Sequence, residues 1–304
     1  KMYKKDRVAV KQADVVIAAT GFDKVHETET LDRAWKIPDN ESNLIIEAAR
    51  LNSSMVVVLY AGGDMETDSW VDSVPAVLHS FYPGQAGAAP LVDILFGKVN
   101  PSGKLPFTMT KKWDDIAAVS HYVKNPEKAS FRRIMIGQGN PRVRKVKKME
   151  YREGLMVGYR HFDTNNIEPE FSFGHGLSYT TFSCSNITVS SGEILKSALE
   201  KEGVDIAVTI KNTGGRAGSE TVQVYINDCE SSVIRPKKEL KGFEKVFLKR
   251  GESAELVFHL DWEAFAFYAA EQKCWYVEPG DFEVLVGFGS RDIRERAQLF
   301  VAKG

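Results

Sequence analysis

A chain of 304 residues with 43% apolar side chains can fill two cores of ordinary domain size. Its net charge of -1 gives no global field to attract nucleic acid or a membrane surface, and no apolar run reaches the ~18 residues that a membrane span needs. Three widely spaced cysteines, Cys184, Cys229 and Cys274, argue against a disulfide framework and against a zinc site with close ligand pairs. Three mostly buried thiols are expected instead, with no metal or cofactor and with the redox compartment left open.

The first half alternates strands and helices. Lys4 to Ala13 reads as the end of a helix. Val15 to Thr20 is a continuous apolar strand that ends at Gly21. Asp39 and Asn40 are placed to cap a helix whose apolar face is Leu44, Ile45, Ala48, Ala49 and Leu51. Met55 to Tyr60 is a second strand and Pro75 to Phe81 a third. The stretch Phe81-Tyr82-Pro83-Gly84-Gln85 then turns into a helix from Gly87 to Phe96, in which Pro90 is tolerable only in the first turn. A second turn follows at Asn100-Pro101-Ser102-Gly103. Near-continuous apolar strands between helices imply a parallel sheet covered on both faces.

From about Phe182 the pattern changes to short alternating strands, such as Val204–Ile210, Thr221–Ile226, Ala254–Leu260 and Phe282–Gly287. Turns fall at Asn212-Thr213-Gly214-Gly215, Lys249-Arg250-Gly251-Glu252 and Glu278-Pro279-Gly280-Asp281. This spacing indicates an antiparallel sandwich. The chain thus reads as an α/β fold, a three-layer αβα sandwich with a mainly parallel sheet over residues 1–180. An all-β immunoglobulin-like sandwich of the fibronectin type III kind follows over 181–304. A connector at about 111–166 is made basic by Arg132, Arg133, Arg142, Arg144, Lys145, Lys147 and Lys148. Only Phe131 and Tyr151 flank it, too thin a stacking platform for nucleic acid, so a solvated loop is expected.

Several segments, in order, resemble glycoside hydrolase family 3. They are the Phe81–Thr108 stretch and Glu27-Thr28-Glu29-Thr30-Leu31-Asp32-Arg33 with Ile37-Pro38, similar to an E-x-E-G-x-D-R…L-P segment with Thr30 in place of glycine. Tyr151-Arg152-Glu153-Gly154 through Gly158-Tyr159-Arg160, and Phe173-Gly174-His175-Gly176-Leu177-Ser178-Tyr179-Thr180-Thr181-Phe182, continue the match. Asn212-Thr213-Gly214 and Arg235-Pro236-Lys237-Lys238-Glu239-Leu240 complete it. The resemblance implies the α/β sandwich domain and fibronectin-like domain of a β-glucosidase or β-xylosidase, without the N-terminal (β/α)₈ barrel that holds the nucleophilic aspartate. One or more strands before Asp14 are expected to be missing too. A fragment, or one polypeptide of a cleaved enzyme, is expected, with the barrel as partner in cis or as a separate chain. Lys1 to Asp6 shows no signal peptide, while the resemblance favours a periplasmic or secreted enzyme over a cytoplasmic one.

The implied reaction is retaining hydrolysis of terminal β-linked sugars from oligosaccharides or glycosides by two carboxylates ~5 Å apart. The resemblance places the general acid/base on the loop from Gly21 to Ile37, at Glu27, with Glu29 as runner-up. In an extended segment these two point to opposite sides. By composition alone they are ordinary surface glutamates. Weaker candidates for sugar contact are His26, Asp32, Arg33 and Trp70. Loop pairing is the structural alternative for Asp32 and Arg33, and packing for Trp70. His175 reads as architectural and Asp93 as helix surface. Asp64 and Met65 receive no role, since Gly63-Asp64 departs from the family's G-x-P-x-x-M segment. A non-catalytic module that binds a glycan or a protein is the competing reading. A nucleotide site is disfavoured, because Gly62-Gly63 and Gly84 form neither G-x-G-x-x-G nor a Walker A loop.

Overall fold

A computed structural model describes residues 2–22, 27, 33–121 and 151–304. The basic run from Arg132 to Lys148 lies outside them. The described chain forms two compact units, one of residues 1–88 with 109–157, the other of 89–108 with 158–304.

The first unit is α/β. It contains α1 (Lys4–Gln12), β1 (Val16–Gly21), α2 (Asp39–Leu51), β2 (Met55–Tyr60) and β3 (Val77–His79). The three strands are parallel in the order β1-β2-β3. α2 packs on β1 and β2, and α1 packs on α2. Successive residues Val57 and Val58 are both 0% exposed. Since neighbouring strand residues face opposite ways, β2 is covered on both faces, as its unbroken apolar sequence requires. β1 is an edge strand, and its Ile17 is exposed.

Three expectations need adjustment here. Pro38, not Asp39 or Asn40, is the N-cap of α2, and no side chain caps it. Proline's fixed φ holds the entry extended, and Asp39 instead sits in the first turn, where it favours the helix dipole. The third strand is shorter than expected, because Phe81 adopts φ +54° and breaks the extended run. Cys184 is half-buried, but Cys229 and Cys274 are exposed, so the thiols are not a buried set.

The second unit is mostly β. It takes in most of α3 (Ala88–Leu95), then α4 (Tyr159–Thr164), β4 (Phe182–Val189), β5 (Glu193–Leu195), α5 (Lys196–Glu202) and β6 (Val204–Asn212). β7 (Gly218–Asp228), β8 (Glu239–Leu248), β9 (Ser253–Leu260), β10 (Phe267–Ala269), β11 (Cys274–Tyr276), β12 (Gly280–Gly289) and β13 (Asp292–Ala302) follow. A sheet β4-β6-β9 and a sheet β5-β13-β12-β7-β8 share one core. Period-2 alternation builds it: Val204, Ile206, Val208 and Ile210 from β6 meet Val222, Val224, Ile226, Phe282, Val284 and Val286 from β7 and β12.

The Asn100–Pro106 turn belongs to this unit, and its sequence explains why. The Asn100 side chain accepts from the Tyr179 amide at 2.7 Å and donates to Ala217 O at 3.0 Å. Lys104 Nζ pairs with Glu220 at 2.8 Å, both side chains being nearly buried. Leu105 N–H donates to His175 O, and Gly174 N–H to Leu105 O, both at 2.9 Å. A Cβ on Gly176 would lie 2.2 Å from Gly103 O, so only glycine lets the two turns meet.

Buried charge is matched within the sandwich. Arg235 donates to Asp228 at 3.1 Å and Glu239 at 2.7 Å, with side chains 6%, 6% and 11% exposed. It also donates to Phe265 O at 3.0 Å. Arg235→Met removes the shared cation and strips buried Asp228 of its ion-pair partner, while Glu239 keeps only Lys241 at 3.6 Å and Arg160 at 3.8 Å. It should lower the unfolding free energy by about 3–5 kcal/mol in a denaturant titration.

Candidate functional site

Parallel strands deliver their carboxyl ends to one edge of the sheet, and the loops after β1, β2 and β3 meet there. Gly21 closes β1 at φ +155°, where a Cβ would lie 2.0 Å from Tyr60 O. Phe22 N–H donates to Tyr60 O at 3.0 Å, and Ser80 N–H to Leu59 O at 2.8 Å. These bonds tie the start of each loop to the strand beside it.

Glu27, on the loop after β1, is the centre of the group. Its Oε2 accepts a hydrogen bond from the Tyr82 hydroxyl, on the loop after β3. Its Oε1 lies 3.6 Å from Arg33 Nε, with the two side chains 29% and 18% exposed. Gly62, after β2, forms the wall behind them: a Cβ there would stand 3.1 Å from Glu27 Oε1 and 3.1 Å from Tyr82 Cε2.

Arg33 is itself held on several sides. Its guanidinium lies 4.3 Å over the Phe22 ring and donates to Asp64 O at 2.5 Å. Burial lowers its pKa, while Glu27 and Asp64 oppose that. Burial also raises the Asp64 carboxyl to about 6, against hydrogen bonding from the Thr110 amide and the attraction of Arg33. Phe81 presents Tyr82 from its positive φ, a strained conformation for a bulky residue. The Phe81 ring packs 4.1 Å from the His79 ring, and its N–H reaches His79 Nδ1 at 3.3 Å. Burial lowers the His79 pKa and favours the neutral ring, and the Phe81 N–H selects the tautomer with Nδ1 as acceptor.

The structure thus brings Glu27 and Arg33 together. Glu29, His26 and Asp32 lie outside the described residues. Trp70 is 1% exposed, so it packs inside the unit and offers no ring face to a sugar. Asp64, which received no role from sequence, borders the group through Arg33. Tyr82 was missed. Its turn reads as proline and glycine chemistry, and no local signal marks a phenol three residues past the end of β3 as a partner for this edge. Away from it, His175 stacks 5.0 Å from Phe171 and bonds through its backbone, as an architectural residue does. Asp93 pairs with Lys98 at 3.2 Å on an exposed helix surface. Among the described residues no three His, Cys, Asp or Glu side chains gather as metal ligands.

The model of the glycosyl hydrolase family 3 C-terminal domain matches residues 1–179, and that of a fibronectin type III-like domain matches residues 220–290. The chain is 43% identical over 286 residues to thermostable beta-glucosidase B of Acetivibrio thermocellus, covering 94% of this chain and 35% of that protein. It is 37% identical over 286 residues to beta-glucosidase BoGH3A of Bacteroides ovatus, covering 93% and 35%. The crystal structure of the Bifidobacterium adolescentis GH3 beta-glucosidase superposes with a TM-score of 0.84 at 34% identity, over 99% of this chain and 41% of that one. The chain therefore spans about a third of the length of these curated relatives.

The Asp64 environment has a measurable consequence. An unfolded aspartate titrates near ~3.9, well below the folded value of about 6. Between those values the folded chain holds a proton that the unfolded chain has released. Stability should therefore fall as pH rises from about 4 to about 6, by roughly 2–3 kcal/mol from this group. In Asp64→Asn that fall should vanish, and the variant should be more stable than the parent at pH 7 in urea titrations.

Proposed function

The chain belongs to glycosyl hydrolase family 3, and we propose that it is the C-terminal part of a retaining β-glucosidase. The substrate is a terminal β-linked glucose on an oligosaccharide or other glycoside. Glu27 is the general acid/base, and the nucleophilic aspartate lies on an N-terminal barrel, in cis or in a separate chain. As the nucleophile attacks the anomeric carbon, Glu27 gives its proton to the departing oxygen. The resulting carboxylate then takes a proton from the water that cleaves the glycosyl-enzyme. The observation that carries this reading is the position of Glu27. It stands in the segment similar to E-x-E-G-x-D-R, at the carboxyl edge of the sheet, with Tyr82 and Arg33 on its two oxygens. The relatives named beta-glucosidases support the substrate class.

The 304-residue chain alone should not turn over aryl β-glucosides, since on this reading the nucleophile lies on the barrel. Robust hydrolysis by the pure chain would refute that. In the polypeptide that carries the barrel, Glu27→Gln should lower kcat/KM on cellobiose by about 10²–10⁴-fold. Added azide should then yield β-glucosyl azide from a dinitrophenyl glucoside. The same behaviour in Glu29→Gln, with Glu27→Gln unaffected, would move the acid/base role to Glu29.

A further inference from the structure

Tyr82 does more at this edge than end a strand. Its side chain is half exposed, so it contributes little to the core, yet its hydroxyl is engaged by the Glu27 carboxylate across 55 residues of sequence. We propose that Tyr82 is the positioning residue for Glu27. The proposal rests on the reading of Glu27 as general acid/base.

A glutamate on a surface loop samples many rotamers, and a proton donor must face the leaving oxygen in one of them. Here the two carboxylate oxygens are treated differently. Oε2 is taken by the phenol, whereas Oε1 lies 3.6 Å from Arg33 Nε, beyond a direct hydrogen bond. Among the described residues Oε1 has no direct hydrogen bond, which makes it the oxygen placed to exchange a proton with substrate and water. Three features of the local chain maintain this. Phe81 turns at φ +54° to aim Tyr82 toward the loop after β1. The His79 ring and Nδ1 brace Phe81 in that turn. Gly62 leaves both partners undisturbed, because a Cβ would stand 3.1 Å from Oε1 and from the phenol ring and each would have to shift by a few tenths of an ångström. The Gly62 backbone is not in a left-handed conformation, so the effect of a side chain there falls on these neighbours.

The test uses the barrel-carrying polypeptide and two substrates. A 2,4-dinitrophenyl β-glucoside departs without a proton, and cellobiose needs one. Tyr82→Phe should lower kcat/KM on cellobiose about tenfold, the worth of one hydrogen bond to a charged group, and leave the dinitrophenyl substrate within about twofold. Gly62→Ala should show the same selective loss, and it carries the test if Tyr82→Phe does not fold by its melting curve. Adding Tyr82→Phe to Glu27→Gln should cost nothing more. Equal losses on both substrates, or none, would overturn the positioning role. If Glu27→Gln shows the selective loss and Tyr82→Phe does not, only the Tyr82 proposal falls. If Glu27→Gln lacks it, the reading of Glu27 fails and the proposal with it.

Discussion

The candidate site depends on one constraint, the parallel pairing of β1, β2 and β3. Six residue pairs join β1 to β2, from Val16 with Met55 to Gly21 with Tyr60, and three join β2 to β3. A parallel ladder leaves no freedom in where the strands end. It therefore fixes where their loops begin, and residues 27, 62 and 82 meet without any contact between their own segments in sequence. Slip the register by one residue and the side chains of a strand change faces, which would set Val57 and Val58 against the wrong neighbours and move Gly21 off Tyr60. The core and the site are held by the same hydrogen bonds.

Much of this was legible from residues alone. The unbroken run Met55–Tyr60 identified a strand covered on both faces, and the alternation in Val204–Ile210 identified a sandwich strand. Both patterns work because they record burial directly. Glu27 was legible only through its resemblance to a family segment, since a surface glutamate carries no period. Tyr82 was not legible, because Pro83-Gly84 accounts for the local sequence as a turn and nothing local says what the phenol meets. The contact is long-range, set by the sheet. Exposed Cys229 and Cys274 escaped for a related reason: thiol burial depends on tertiary placement, and a general preference for the interior decides little for one residue.

The sandwich shows a second way of using polar side chains inside. Asp163 is nearly buried and takes Lys238 at 2.7 Å and Arg291 at 2.8 Å. Arg235 joins two carboxylates and a backbone oxygen in the same unit. Such networks contribute little net stability against an apolar core of equal volume, but each member is costly to remove singly. They fix the path of segments outside the sheets, such as α4 and the residues after β7, where no ladder does so.

The clasp between the Asn100–Pro106 turn and residues 174–179 bears on how such proteins can recombine. A β-sandwich looks like a free-standing module, and its own strands begin only at Phe182. Yet Glu220, on β7, has its cation from Lys104, a residue 78 positions before that first strand. Trading sandwiches between relatives at the visible start of the β pattern would separate the two and strand a buried carboxylate. Exchange that keeps the protein intact must carry residues 89–108 along with the strands, so the heritable unit is discontinuous in the gene although it is contiguous in space.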